Sequence, residues 1–351
     1  MKKIFGIVLL LAAAIVLFGC NNGNEPSVHE QENQEPIDIP EVDINDSGSH
    51  VELTAKPAEN EEIPADSIRN YVNGTSVNWS VYNVFDLVKL AEIVNGGDSL
   101  SGVTVTVQND ITVNENLLTE DYDAPKEYAA GISARGFNNL DSIGRYNGND
   151  AKNPNEGGMG EEGIDAPFEG TFDGNGKIIS GFYAYQGHQG LGFIGYAKDA
   201  VIKNVILKDA CVVNYNIWSS KKDDGTTTHD GYDDDRFGGL LGYAGEGTTK
   251  IQNCFFSGVV GSKDALDRGG TVSYTGGLVG EVEGSVEVTG SVAYARIYAT
   301  KHSGPLYGRD KSKSGFTSDA DTKGNLIGQY DLIKAEVEAD LLKVQDSINS
   351  L

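Results

Sequence analysis

Cysteine is scarce in this chain, with only three among 351 residues. No cysteines and histidines have the spacing of a zinc site, which excludes a fold held together by zinc. Cys211 and Cys254 lie in or beside predicted strands, and we expect two buried, unpaired thiols there. A disulfide between them is the alternative, since a chain outside the cytoplasm can form one. The third cysteine, Cys20, ends an apolar run at the N-terminus.

Positive charge is also in short supply, with 27 Lys and Arg against 52 Asp and Glu and a formal net charge of −25. A protein that neutralises nucleic-acid phosphates needs a positive surface, so nucleic acid is excluded as a partner. Much of the negative charge lies in residues 21–66, where thirteen acidic residues face a single lysine, Lys56. The rest is spread over the body of the chain, which suits a soluble protein outside the cytoplasm.

The N-terminal apolar run covers residues 4–18 and follows two lysines, Lys2 and Lys3. It is short for a bilayer core of about 30 Å, and a small-residue cleavage site follows, which predicts a secretory signal. The ending Leu17-Phe18-Gly19-Cys20 resembles the bacterial lipobox, which implies lipidation of Cys20 and cleavage before it. A plain secretory signal with an incidental cysteine is the alternative. We therefore expect a lipid-anchored protein of the bacterial cell envelope, at the outer membrane or cell surface.

The sequence predicts four segments: a lipoprotein signal peptide (1–19), a disordered acidic tether (20–75), a β-helix with glycine repeats (76–310), and a linker with a C-terminal helix (311–351). Acidic sequence that is rich in proline cannot bury enough apolar area to offset its ordering entropy. A flexible chain of the tether's length spans roughly 35–40 Å root-mean-square. The folded body is therefore expected to stand away from the membrane.

A short apolar pair bracketed by glycines occurs three times, each time before a strand-like run. Such a repeat, with short strands between Gly or Asn residues, distinguishes a stacked coil from a sandwich or barrel. We predict an all-β fold, a parallel β-helix, in which glycines turn corners in left-handed conformation. Asn204 and Asn253 are expected to form a polar ladder at one bend. The repeat-core glycines are Gly192, Gly195, Gly239, Gly242, Gly277 and Gly280.

Two helices are predicted outside the repeats. Residues 83–95 form an amphipathic pattern, with Asn83 as N-cap and Asp86 as its capping-box partner, and Gly96-Gly97 end it. We expect this helix to cover the open N-terminal end of the coil. Residues 331–351 carry an apolar stripe, which predicts a helix docked on the last turn of the coil; oligomerisation is the alternative.

The segment Phe168-x-Gly-Thr-Phe-Asp-Gly-Asn-Gly-Lys-x-Ile-Ser-Gly and the core Gly276-Gly277-Leu278-Val279-Gly280 resemble the GLUG-repeat family of bacterial surface proteins. The resemblance covers roughly residues 80–297, and the copy with Phe193 departs from the pattern. It implies a right-handed β-helix on a secreted or surface protein, often an adhesin. It implies no catalytic residues, because the family defines none.

Some relatives with this repeat are IgA-cleaving metallopeptidases that use a His-Glu-x-x-His zinc site. The nearest approach in this chain is His29-Glu30-Gln31-Glu32-Asn33, which lacks the second histidine. The sequence therefore excludes that activity.

Three groups of residues are candidates for chemistry. An acid-rich insertion interrupts the repeat and offers carboxylates to Ca²⁺; the alternative is a solvated acidic loop. Asp173 and Glu169 are candidate carboxylates of a polysaccharide lyase or hydrolase, although a turn role for Asp173 is favoured. Tyrosines beside the repeats could stack on sugar rings or pack against the next turn of the coil. These tyrosines are Tyr183, Tyr185, Tyr196 and Tyr243, and the candidate calcium ligands are Asp223, Asp224, Asp230, Asp233, Asp234 and Asp235.

The sequence therefore predicts a lipid-anchored, surface-exposed β-helix protein, without catalytic residues, that acts in adhesion or binds a glycan or host macromolecule. A carbohydrate-active β-helix enzyme and a structural envelope protein are the alternatives. The expected partners are the membrane, through the lipid, and a glycan or host protein. No cofactor is expected apart from the candidate Ca²⁺.

Overall fold

The structure is a computed structural model that describes residues 53, 56–58, 61–119, 123–124, 137–146, 165–186, 189–214, 217–221, 227–231, 236–261, 273–299, 302–313, 315–318, 321–322 and 330–351. All of them belong to the unit Glu41–Leu351. Most of the secondary structure in this part of the chain is β-strand in parallel sheets, so the all-β prediction is confirmed.

Two large sheets contain most of the strands. The first sheet has seven parallel strands, in the spatial order β1 (Asn78–Val81), β2 (Thr104–Val107), β4 (Thr171–Asp173), β9 (Val201–Lys203), β15 (Thr248–Gln252), β19 (Ser285–Thr289) and β23 (Phe316–Ser318). The second sheet has the order β24 (Asp321–Thr322), β20 (Val292–Tyr298), β16 (Phe255–Gly261), β10 (Ile206–Asn214), β5 (Ile178–Ser180) and β3 (Ile111–Thr112), with β6 (Tyr183–Gln186) also paired to β10.

Two smaller parallel sheets and one hairpin complete the described strands. The third sheet has the order β21 (Ser303–Gly304), β17 (Thr275–Gly276), β13 (Arg236–Gly238) and β7 (Gly190–Leu191). The fourth sheet has the order β22 (Tyr307–Asp310), β18 (Val279–Val282), β14 (Leu241–Ala244) and β8 (Ile194–Ala197). An antiparallel hairpin joins β11 (Ile217–Lys221) and β12 (Thr227–Gly231).

The chain visits these sheets in a fixed order. The strands β7 to β10 lie in the third, fourth, first and second sheets, and this order repeats for β13 to β16, β17 to β20 and β21 to β24. We call each of these series a pass. Every strand pairs in parallel with the strand at the same place in the next pass. Strands β23 and β24 belong to a fourth pass, although the sequence assigns residues 311–330 to a linker.

Inward-facing side chains form ladders from pass to pass. In the first sheet, Phe172 is in register with Ile202, Ile202 with Ile251, and Ile251 with Val288. All four are buried in the main hydrophobic core. Because a strand points alternate side chains to opposite faces, one buried residue in two is enough to fill the interior.

The repeat-core glycines do not have the conformation that the sequence predicts. Gly192, Gly239 and Gly277 directly follow β7, β13 and β17, at the corner between the third and fourth sheets. None of the six core glycines has a left-handed φ. Instead, a Cβ at these positions would overlap other backbone atoms, which belong to a neighbouring pass at five of the six glycines and to Gly144 at Gly195; a Cβ at Gly280 would lie 2.5 Å from the carbonyl oxygen of Gly242. Close approach of two backbones therefore explains these glycines.

Asparagine turns two left-handed corners, as the sequence predicts. Asn204 and Asn253 have φ of 55° and 52°, and Gly290 follows with 59° in the next pass. The Asn253 amide donates to Oδ1 of Asn204 at 3.4 Å, and the Asn204 amide donates to Oδ1 of Asp173 at 2.9 Å. A stacked polar ladder thus follows this bend.

Helix α1 (Val84–Asn95) has the predicted N-cap, because Oδ1 of Asn83 accepts from the amides of Phe85 and Asp86 at 3.0 and 3.2 Å. Its buried face includes Leu87 and Leu90, which belong to the main core. The Asp86 carboxylate does not close a capping box on Asn83. It accepts from the amide of Tyr82 at 2.7 Å, because Ser67 and Arg69 hold it on the other side.

The folded body begins before residue 76, where the sequence places the end of the tether. A short 3₁₀ turn (Ile68–Asn70) buries Ile68 completely. The Arg69 guanidinium lies between Glu61 at 2.6 Å and Asp86 at 2.5 Å. Composition alone predicts disorder here, whereas tertiary ion pairs order the segment.

Helix α2 (Tyr330–Asn349) lies across the outer face of the second sheet and does not end the last pass. Three outward side chains on neighbouring strands, Ile206, Phe255 and Tyr294, form an apolar surface. The helix covers it with Val337, Leu341, Val344 and Ile348. This surface explains the position of the helix, since burial of an apolar stripe needs a complementary apolar face.

Candidate ligand-binding groove

A polar groove of about 960 Å³ opens on the outer side of the second sheet. Residues 114–119, after β3, border it, and helix α2 contributes Lys334. The lining residues are Asp110, Thr112, Asn114, Glu115, Asn116, Leu117, Leu118, Thr119, Ile178, Ser180, Gly181, Lys208, Asp209 and Lys334.

Strand register places a row of polar side chains on the floor of this groove. Thr112 is in register with Ser180, and Ser180 with Lys208, across β3, β5 and β10. Their neighbours Ile111, Ile179 and Leu207 face the core. Because side chains alternate along a strand, burial of these three neighbours turns the polar row outward. The Ser180 hydroxyl also donates to Oγ1 of Thr112 at 3.3 Å.

A β-bulge in β10 brings an acidic residue into the lining. The register between β10 and β16 shifts between Leu207 and Ala210. Asp209 lies in this bulge with a φ of 53°, and its amide donates to Oγ of Ser257 at 3.1 Å. Bulges redirect side chains and are common beside functional sites.

Gly181 joins the groove to the loop on its other side. It has a φ of 65°, and a Cβ there would overlap the carbonyl oxygen of Asn114. The side-chain amide of Asn114 donates to the carbonyl oxygens of Gly181 at 2.8 Å and Asn138 at 2.9 Å. The backbone amide of Asn138 donates to Oδ1 of Asn114 at 2.6 Å. These bonds hold the loop against the sheet.

Helix α2 is held to the same surface by polar contacts. The Lys208 ammonium pairs with Glu338 at 2.5 Å, and the Tyr294 hydroxyl donates to Asp340 at 2.6 Å. Near the helix end, the Gln345 amide donates to the carbonyl oxygen of Gly176 at 2.9 Å. The wall formed by Lys334 therefore belongs to a helix anchored at several points.

The lining is strongly polar. Ten of its fourteen residues carry polar or charged side chains, and only Leu117, Leu118 and Ile178 are large and apolar. The Asp110 carboxylate accepts from the amide of Ile178 at 2.9 Å, which fixes one corner of the floor. Hydroxyl, amide and charged groups on the strands, the loop and helix α2 can donate to and accept from a ligand rich in hydroxyl groups.

A second polar cluster, on the fourth sheet, is closed. Tyr243 is in register with Tyr196 and Glu281, and Glu281 with Arg309. Glu281 is fully buried and pairs with Arg236, Arg309 and Lys311. Its contacts to Nε of Arg309 and Nζ of Lys311 are 2.8 and 3.5 Å long. We call these four charged residues the Glu281 cluster.

The tyrosines proposed for sugar stacking are buried. Tyr196 and Tyr243 stack on each other with ring centroids 5.3 Å apart, and Tyr146 covers them. Burial raises the pKa of the Tyr196 hydroxyl. Tyr183 and Tyr185 are also buried, in a cluster with Cys211. Packing within the protein, the alternative given by the sequence, describes all four.

The candidate carboxylates Asp173 and Glu169 have local roles. Asp173 accepts from the amide of Asn175 at 2.9 Å and pairs with Lys203 at 2.9 Å, as a turn residue does. Glu169 accepts from the Ser99 hydroxyl at 2.7 Å. The structure does not bring the two together in the groove.

The calcium prediction falls mostly outside the described residues. Of its six aspartates, only Asp230 is placed, as a residue of β12, and its side chain is not described. Among the described residues, no three acidic, histidine or cysteine side chains form a metal-binding group. Lipidation of Cys20 also lies outside the described part of the chain.

The two internal cysteines are free and buried. Burial raises the pKa of the Cys211 thiol, and it raises that of Cys254 to about 12.

The sequence did not point to the groove residues Thr112, Ser180 and Lys208. The only signal for them was strand alternation, which shows that they face outward but does not show which strands are neighbours.

Comparisons with known proteins give no family. No protein-family model matches the chain, and no curated protein matches it. One similar solved structure is a crystal structure of "a putative immunoglobulin A1 protease" from Bacteroides ovatus. It has 12% sequence identity and a TM-score of 0.29 over 69% of this chain and 74% of the other. A likeness this low supports no argument about fold or activity.

Within the described residues, no helix has the length and apolar character needed to cross a membrane.

Proposed function

We propose that this chain is a lipid-anchored, surface-exposed protein that binds a glycan in the polar groove. The observation that carries the proposal is the row of outward polar side chains at Thr112, Ser180 and Lys208 beneath a cavity of about 960 Å³. A cavity of this size accommodates several sugar rings. Its polar lining suits hydroxyl groups better than an apolar ligand.

The proposed body is a right-handed parallel β-helix of the GLUG-repeat type. The fixed order in which successive passes visit the four sheets supports a coil. Parallel strands joined by crossover connections strongly prefer the right-handed sense. A stack of this kind gives the groove a rigid floor, so little ordering entropy is lost when a ligand binds.

The proposed anchor is the lipid on Cys20, and the support for it is the lipobox resemblance in the sequence. The acidic segment after Cys20 would hold the groove away from the membrane, where an extracellular glycan or host macromolecule can reach it.

We propose that binding is not coupled to catalysis. Asp110 and Lys208, two charged groups of the lining, are engaged in contacts that hold the groove together.

A glycan array tests the proposal directly. The mature chain from residue 20 would be produced without lipid as a Cys20→Ser variant. We expect it to bind one glycan class and to lose binding when Thr112→Trp fills the floor, because Thr112 is exposed in the groove. Thr289→Trp is the matched control, since Thr289 is an exposed strand residue of the first sheet.

Two results would refute this assignment. Wild-type protein that binds no glycan on a broad array would contradict the proposed function. Equal loss of binding in Thr112→Trp and Thr289→Trp would show that the groove is not the binding site. Circular dichroism of both variants verifies that they are folded.

A further inference from the structure

We infer that the groove selects glycans without acidic groups, either uncharged or amine-bearing, and excludes sulfated and uronate-rich chains. This inference rests on the proposed function and narrows it to a ligand class. Its basis is the balance of charge around the cavity.

The groove carries more negative than positive charge. Asp110, Glu115 and Asp209 line it, together with two lysines, Lys208 and Lys334. The Lys208 ammonium is 2.5 Å from the carboxylate of Glu338, which adds a fourth negative group beside the lining. Three carboxylates against two ammonium groups leave the lining with a net charge of −1, and the neighbouring Glu338 brings the balance to −2.

An anionic sugar would meet this charge at short range. Charges closer than about 10 Å are incompletely screened at 0.1 M salt, and a cleft concentrates the field of its lining groups. An acidic group that enters the groove would also give up hydration. The net charge of −25 on the whole chain opposes the approach of a polyanion as well.

Uncharged hydroxyl groups meet no such penalty. The hydroxyls of Thr112 and Ser180, 3.3 Å apart, provide donors and acceptors in a fixed arrangement on neighbouring strands. Asn116 adds an amide to the same lining. A protonated amine on the sugar would gain attraction from the excess carboxylates, and Glu115 offers it an exposed carboxylate.

Direct binding measurements with four glycan probes of equal length test this inference. The probes are chitosan oligomers, their fully acetylated counterparts, polygalacturonate oligomers and heparin-derived oligomers, each measured by calorimetry at low and physiological salt. We expect the two probes without acidic groups to bind at least about tenfold more tightly than the two anionic probes, a difference of about 1.4 kcal/mol. The preference for the amine-bearing probe should shrink as salt increases.

A charge-reversal variant locates the effect. Glu115→Lys should weaken binding of the chitosan oligomer and leave the acetylated oligomer within about twofold. Glu287→Lys is the matched control, because Glu287 is an exposed strand residue of the first sheet outside the groove lining. It should change neither affinity.

The outcomes separate the inference from the function on which it rests. Tighter binding of either anionic probe by the wild-type protein overturns the inference and leaves a glycan-binding function in place. An equal effect of Glu115→Lys and Glu287→Lys also overturns it, because the selectivity would then come from overall charge. Binding of none of the probes, nor of any glycan on a broad array, contradicts the proposed function itself.

Discussion

The Glu281 cluster provides the sharpest test of what stabilises the stacked passes. The Glu281 carboxylate, on β18 of the third pass, is fully buried and pairs with residues of the second and fourth passes: Arg236 on β13, Arg309 on β22, and Lys311 just after β22. Arg236 is itself only 5% exposed. A charge taken out of water is tolerated only when it is paired, so the cluster depends on this one carboxylate.

Glu281→Gln keeps the shape of the side chain and removes its charge. The amide nitrogen would then face guanidinium donors, and the buried Arg236 would lose its carboxylate partner. Breaking a buried ion pair by removing one partner costs about 3–5 kcal/mol. We therefore expect the free energy of unfolding to fall by about this amount, measured by urea titration with circular dichroism.

The chain offers a matched control on the next strand. Glu287 lies on β19 and is 3.9 Å from Lys250, with both side chains about half exposed. Exposed pairs of this kind contribute about 0–1 kcal/mol, so Glu287→Gln should leave stability nearly unchanged. A loss below about 1 kcal/mol in Glu281→Gln, or equal losses in the two variants, would refute the reasoning.

Three further perturbations test other parts of the structure. Gly181→Ala should lower the free energy of unfolding, measured by urea titration, more than Gly74→Ala does. Both glycines have positive φ, but only at Gly181 would a Cβ overlap another residue. The Gly74 variant should therefore show only the backbone penalty of about 1 kcal/mol. In a Cys20→Ser variant at neutral pH, Cys211 and Cys254 should not react with a thiol reagent in the native protein, because burial raises their pKa values. Both should react after denaturation. Fast reaction of the native protein would contradict their burial. A hydrogen bond from the Ser80 hydroxyl lowers the pKa of the Asp66 carboxyl from its ordinary value of 3.8. The stability that this bond contributes is therefore complete above pH 3.8 and is lost as the pH falls through the lowered pKa. Asp66→Asn should reduce this loss of stability in acid, and an unchanged dependence of the unfolding free energy on pH would argue against the bond.

Local patterns predicted the elements well where one short segment contains all the information. The N-cap at Asn83 and the following helix depend on neighbours a few residues apart, and the structure contains both. The left-handed bends at Asn204 and Asn253 are local in the same sense, because asparagine tolerates that conformation. The period-two alternation predicted strands, and parallel strands make up most of the secondary structure among the described residues.

Predictions that required knowledge of distant neighbours were less successful. The repeat glycines were expected to turn corners by positive φ, but they are needed because the backbone of another segment lies against them. Asp86 was expected to close a capping box, but Ser67 and Arg69 hold its carboxylate elsewhere. The docking site of α2 depends on an outward apolar surface assembled from three separate strands.

The groove shows most clearly which features depend on one segment and which depend on the tertiary structure. The sequence by itself determined which residues of each strand face outward, because alternation is a property of a single strand. It could not determine that Thr112, Ser180 and Lys208 would share one row, since that depends on the register between strands far apart in the chain. It also could not place Lys334 beside them. Residue type and period set the local conformation, whereas only the tertiary structure decided which polar groups converge on a cavity.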